Sequence, residues 1–189
     1  MILFTLGTGI GGGIIINGKL LEGPDNTAGE IGHMIIQPNG PLCGCGNFGC
    51  LEALTSATAI ARRVRETLNK GITQTSLSNY SLEKAVQAKT VYDEAVKGDF
   101  FSISLLRENG YWLGIAAANM ITILNPDAIL FSGGLSLAGD FIFKELEVTA
   151  RSNTFRDPAK RVIIRPAKLQ EDAGVIGAAG LSLVEIYNA

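Results

Sequence analysis

A mixed α/β fold, with a sheet flanked by helices, is what this sequence predicts, and three observations carry the prediction. Two strand-like, mostly apolar segments, Ile2–Leu6 and Ile14–Ile16, flank a glycine-rich stretch near the start. Asn17-Gly18 then supplies the strongest short hairpin signal. From Ala53 onward the apolar period lengthens to three and four residues, and strand-like segments later alternate with helix-like ones.

Taken in order, Ile2–Leu6 reads as a buried strand that stops at Gly7-Thr8-Gly9-Ile10-Gly11-Gly12-Gly13. Ile14–Ile16 resumes as a second strand, and Lys19–Leu21 returns antiparallel to it after the Asn-Gly turn. Met34–Ile36 is a short strand inside a stretch rich in Gly, Pro and Asn. Leu54, Ala57, Ile60, Ala61, Val64 and Leu68 place one amphipathic helix over 53–68, ended by Gly71. Helices are expected at Ser81–Lys97 and Phe100–Leu124, the second closed by Asn125-Pro126. Ala128–Phe131 is a buried strand ending in Ser132-Gly133-Gly134. Phe141–Ala150 is helical, Val162–Ile164 is strand, and Gly174–Tyr187 is a helix of small residues. The order predicts a mixed sheet with helices on both faces.

Composition removes several classes of function. Among 189 residues, 47% are hydrophobic and 18% charged, which suits a packed core. Sixteen basic against eighteen acidic residues leave a net charge of -2, without the cation clusters that a nucleic-acid surface needs. The longest apolar run, Trp112–Leu124, falls short of the roughly 18 residues a membrane helix requires. No basic, apolar and small-residue succession marks an export signal, so a cytoplasmic location is expected.

Glycine is concentrated as well as abundant: 13 of the 23 lie in the first fifty residues. All three cysteines and the only histidine fall between His33 and Cys50. Their spacing, His33-x9-Cys43-x-Cys45-x4-Cys50, offers three thiolates and an imidazole, a donor set zinc favours. Four protein ligands leave no open position, so a structural metal is expected rather than a catalytic one. Burial of the same residues as ordinary core groups would not explain why the whole Cys and His inventory is gathered here.

The glycine stretch 7–13 can present backbone N–H groups to an anion without a Cβ in the way, and Thr8 adds a hydroxyl. It is neither a Walker loop nor a dinucleotide fingerprint, because no Gly-Lys-Ser/Thr and no helix follows it. Glu30 and Glu52 lie beside metal-ligand candidates at the two ends of one segment, and carboxylates accept hydrogen bonds from vicinal hydroxyls. For Glu52 the alternative is favourable helix-terminus electrostatics, and for Glu30 a solvated loop charge. The Gly133-Gly134 pair after a strand allows a flat ring or ribose to approach.

In this order, Thr8-Gly9-Ile10-Gly11-Gly12-Gly13, Gly29-Glu30-Ile31-Gly32-His33, Cys43-Gly44-Cys45-Gly46-Asn47-Phe48-Gly49-Cys50-Leu51-Glu52, Asn125-Pro126 and Ser132-Gly133-Gly134-Leu135-Ser136 resemble the ROK family of sugar kinases and sugar-sensing repressors. The resemblance covers essentially the whole chain. It implies a lobe of the actin-like (ribonuclease H-like) ATPase fold with a zinc-binding segment at 33–52. It implies ATP phosphate contacts at Gly7, Thr8, Gly9, Ile10, Gly11, Gly12, Gly13 and Ile14, and adenosine contacts near Gly133, Gly134 and Ser136. It also implies sugar hydroxyls at Glu30, His33 and Glu52, and zinc on His33, Cys43, Cys45 and Cys50.

The implied reaction is phosphorylation of a hexose, glucose to glucose 6-phosphate, from ATP with Mg²⁺. The alternative is the effector domain of a sugar-responsive repressor. Two features of the family's pattern are absent from these residues: an Asp-x-Gly-Gly-Thr phosphate loop and an Asn-Asp-Ala segment carrying the general base. Ser132 also stands where many members carry a third glycine. Residues 1–189 are therefore expected to be a C-terminal lobe, inactive alone, whose partners are an N-terminal lobe, the hexose, ATP and further copies of itself.

Overall fold

The computed structural model of the chain describes residues 1–71, 74–80 and 86–188. Its sheet has five strands in the order β3-β2-β1-β4-β5. The central strand is β1 (Ile2–Leu6), in which Ile2, Phe4 and Leu6 are buried and Thr5 is exposed. β2 (Ile10–Ile16) runs antiparallel to it, Leu6 opposite Ile10 and Ile2 opposite Ile14. Asn17 and Gly18 both take left-handed φ values, 52° and 78°, as a two-residue hairpin turn demands. β3 is only Lys19–Leu20, one residue shorter than expected. β4 (Ala128–Ser132) lies parallel to β1, and β5 (Ile163–Pro166) parallel to β4.

Two strand expectations change. The glycine stretch is not one turn: Gly7–Gly9 turns, while Gly11–Gly13 belong to β2 and pair with Leu3–Thr5. Met34–Ile36 is not a strand either. A 3₁₀ turn covers Ile31–His33, and only an isolated bridge joins Ile35 to Cys50. Gly49 explains this. Its carbonyl accepts the N–H groups of both Ile36 and Gln37, which folds the segment onto the cysteine loop instead of extending it along the sheet.

The helix expected at 53–68 is two helices, α1 (Leu51–Thr55) and α2 (Ala57–Asn69). Ser56 separates them with extended backbone (ψ 162°), and its hydroxyl accepts the N–H of Ala59 at 3.1 Å to cap α2. α3 runs only over Ala88–Val96, and the part of the expected helix at 81–85 lies outside the described residues. α4 spans Phe100–Leu124 as expected, capped by Asp99 on the Ser102 N–H and ended by Asn125 in the left-handed region. α5 (Asp140–Ser152) and α7 (Ala173–Asn188) extend the expected spans slightly. α6 (Arg156–Arg161) is a helix the sequence pattern did not indicate.

The core joins Ile2, Phe4 and Phe131 of the sheet to Leu106, Leu113 and Ile121 of α4 and Ile142 and Leu146 of α5. Phe4 stacks on Phe131 at 5.0 Å, and Phe131 meets Phe143 of α5 edge-on. The opposite sheet face keeps Leu3 and Leu130 half-buried and Thr5 exposed. α4 and α5 approach closely because Gly110 and Gly114 face α5, where a Cβ at Gly114 would sit 2.6 Å from that of Thr149. Among the described residues no helix is long and apolar enough to cross a membrane.

Candidate functional site

Four side chains from two loops converge beside the end of β1. His33 Nδ1 lies 3.6 Å from Cys43 Sγ, and Cys45 Sγ lies 3.7 Å from Cys50 Sγ. All four ligand atoms are within 4.8 Å of one another. A tetrahedral zinc with ordinary Zn–S and Zn–N bonds has edges of about 3.8 Å between sulfurs and about 3.6 Å between sulfur and nitrogen. The four residues therefore suit that ion in donor type, number and separation. Their local fold serves the convergence, since Cys43 N–H donates to Asn47 O and Gly46 N–H to Cys43 O, curling the loop around its own thiols.

The thiols differ in proton affinity. Burial pushes Cys50 up to about 12, with hydrogen bonds from Cys45 and Cys43 adding to the effect. Cys45 is exposed, and the backbone N–H of Asn47 draws it below the ordinary thiol value. A metal that replaces these protons binds with a steep pH dependence.

His33 faces two ways. Nδ1 points at the cysteines, and Nε2 lies 4.0 Å from Glu30 Oε2 on the outer side. With Nδ1 given to a metal, Nε2 carries the proton and is a donor for a hydroxyl, beside a carboxylate acceptor. Glu30 is exposed, at the start of the 3₁₀ turn that carries His33. Glu52, from α1, reaches the same region from the other side. Its Oε2 accepts the N–H of Ile10 at 3.0 Å, and its Oε1 lies 3.8 Å from Cys43 Sγ as acceptor. The structure thus gathers Glu30, His33, Glu52 and the three cysteines.

The turn Gly7–Gly9 is held from below by α2. Ala57 N–H donates to Gly7 O at 2.9 Å, and the Thr58 hydroxyl donates to Thr8 O at 2.8 Å. The N-terminus of this 13-residue helix therefore stands directly against the turn, a setting that favours an anion. Beside it opens a cavity of about 790 Å³ lined by Gly7 and Thr8, by Ala61 and Arg65 of α2, by Lys89 and Tyr92 of α3, and by Gly134 and Leu135. It is large enough for a nucleotide-sized ligand, with an aromatic ring and two cations in its wall. Tyr92 packs edge-on against Phe141 at 6.0 Å, which fixes α3 against α5.

Of the expected nucleotide contacts, Gly7, Thr8 and Gly134 line this cavity. Thr8 and Gly9 also line a smaller hollow of about 370 Å³ shared with Glu52 and Cys43. Gly133 closes β4 with a φ of 88°, and Ser136 is buried with its hydroxyl on Gly133 O, so both shape the wall rather than face the opening. Ile10–Ile14 lie in β2. Ala57, Thr58, Arg65, Lys89 and Tyr92 were not singled out from sequence. Thr55-Ser56 before Ala57 was a readable capping signal for the α1–α2 break, but nothing local marked α3 as a cavity wall.

A profile of the ROK family matches residues 1–185. The chain belongs to the ROK family. A glucokinase of Halalkalibacterium halodurans is 40% identical over 96% of this chain and 55% of its own length. A ROK family glucokinase from Streptomyces griseus, solved in complex with glucose and AMPPNP, superposes with a TM-score of 0.83 at 32% identity, covering 95% of this chain and 59% of that one. A ROK family transcriptional regulator, a homolog of the E. coli MLC protein, superposes with a TM-score of 0.77 at 28% identity over 87% of this chain and 41% of its own. The chain thus spans about half the length of the curated relatives it matches. Both the actin-like fold and the mixed sheet with flanking helices are as the sequence implied.

Proposed function

We propose that this chain forms the sugar- and nucleotide-binding part of an ATP-dependent hexose kinase, with glucose as the first candidate substrate. The observation that carries the reading is a contact. Glu52 stands between the His33/Cys cluster and the glycine turn, so a sugar held at Glu30, His33 and Glu52 lies next to the nucleotide cavity. The glucokinase relatives support the same reading.

In this reading zinc sits on His33, Cys43, Cys45 and Cys50, and its chemistry is structural: it holds the loop and fixes the His33 tautomer. His33 Nε2–H donates to one sugar hydroxyl, while Glu30 and Glu52 accept from others. Thr8, the turn's N–H groups and the α2 N-terminus take the phosphate charge, and the cavity between α2, α3 and Gly134 takes the adenosine. Mg²⁺ accompanies the ATP. Phosphoryl transfer then depends on alignment and on a base for the attacking hydroxyl. Glu30 and Glu52 are committed to binding, so we assign the base to a part of the protein outside these 189 residues.

The test compares the 189-residue chain alone with the same chain completed by the N-terminal lobe of a ROK kinase, in cis or added separately. Mg²⁺-ATP-dependent glucose phosphorylation is expected only from the completed protein, at least about 10²-fold above the chain alone. Sugar binding without turnover in the completed protein would favour a sugar sensor instead. Full activity from the isolated chain would place the base within it.

A further inference from the structure

Glu52 touches more than a sugar site requires. Its Oε2 accepts the Ile10 N–H at the end of the glycine turn, and Gly9 is what admits it, because a Cβ there would collide with that oxygen. The other anchors of the turn, Ala57 N–H on Gly7 O and the Thr58 hydroxyl on Thr8 O, arrive from the same stretch of chain, Cys50–Thr58. That stretch begins at a metal-ligand residue and is half-buried or buried over most of its length. The Gly7–Ile10 turn is thus held from outside at its first carbonyl, its second carbonyl and its last N–H, and from within by Gly7 N–H donating to Gly9 O at 3.0 Å. The Thr8 and Gly9 N–H groups have no protein partner among the described residues.

We infer that Glu52 is a positioning residue for the phosphate turn, through which the Cys/His centre sets the direction of the Thr8 and Gly9 N–H groups. The inference rests on the nucleotide reading of the cavity and adds to it a role for Glu52 beyond the sugar. A carboxylate accepts only, so it fixes one orientation of the Gly9–Ile10 peptide and forbids the flipped one. Removing it leaves that peptide held only by the Gly7 N–H on Gly9 O, and preorganisation of the neighbouring donors is weakened.

The experiment uses the ¹⁵N-labelled, zinc-loaded 189-residue chain, the Ile10 amide resonance and its exchange rate, zinc content, and titration with Mg²⁺-AMPPNP. In Glu52→Ala, the Ile10 amide is expected to shift upfield and exchange at least about tenfold faster, and AMPPNP to bind about tenfold more weakly, with one zinc retained. Glu52→Gln keeps an amide oxygen for the Ile10 N–H, so Ile10 protection should persist and AMPPNP affinity stay within about threefold of the parent. That rescue is what a bulk structural role would not produce. If Glu52→Ala loses its metal, Gly9→Ala supplies the same displacement of the carboxylate and should reproduce the Ile10 response. An Ile10 amide indifferent to both alanine variants, or a Gln variant as weak as Ala, overturns the inference. A parent chain that binds no AMPPNP while Ile10 still responds overturns the nucleotide reading instead, and with it the purpose assigned to the tie.

Discussion

Helices α4 and α5 meet through apolar side chains and two glycines, whereas the cysteine loop 40–49 and the Glu52 carboxylate are placed through backbone hydrogen bonds, one carboxylate contact and the Cys/His cluster. Leu106, Leu113, Ile142 and Leu146 are fully buried, and each such side chain stabilises the fold by about 1.5–3 kcal/mol. In that loop Leu42 and Phe48 are instead 60% and 57% exposed, and the buried apolar residues Leu51 and Leu54 lie beyond it, in α1. One region is held by area removed from water. The other is held by direction-specific bonds, which lets it place polar groups precisely where a ligand arrives but leaves it dependent on each of them.

The largest effect should come from breaking the second region at its Cys/His cluster. Cys45→Ser is expected to abolish stoichiometric zinc, read by elemental analysis, and to lose sugar binding with it, because metal binding and local folding are linked there. Leu113→Ala attacks the first region. It should cost about 2–5 kcal/mol in a denaturant titration while zinc content stays at one per chain. Gly114→Ala is milder, about 1–3 kcal/mol, because the new methyl meets Thr149 across the helix pair.

The smallest effect is a pH slope at a third place. Glu94 of α3 is drawn down to about 2, first by Lys97 and then by the Ser76 and Tyr80 hydroxyls that donate to it. A carboxylate lowered in the folded state adds stability that is complete above its ordinary value of 4.5 and is lost as pH falls toward 2. Stability measured from pH 5 down to 2 should therefore fall, and Glu94→Gln should flatten that fall.

The difference between the two regions also explains what could be read from sequence. α4 was legible to the residue because its apolar content is continuous and its ends carry Asp99 and Asn125-Pro126, all local signals. The convergence of His33, Cys43, Cys45 and Cys50 was legible because the whole Cys and His inventory lies in one short segment. The α1–α2 break was missed because Leu54, Ala57, Ile60 and Val64 keep helical period straight across it, and Ser56 leaves the helix only to cap the next one against the glycine turn. Met34–Ile36 misled in the same way: three apolar residues in a row fit a strand, but the Ile31 carbonyl takes the N–H of Met34, and that of Gly49, distant in the chain, takes those of Ile36 and Gln37. The cavity wall made by α3 depends on Tyr92 meeting Phe141, a contact between residues that no local pattern joins.

The most direct test of this account is hydrogen–deuterium exchange of the 189-residue chain before and after zinc is removed with a chelator. Protection should be lost over 33–52 and, through Glu52, at Ile10, while α4 and α5 stay protected. Loss of protection spread evenly over the chain, or none at Ile10, would contradict a metal-held segment that carries the site on an independently stable core.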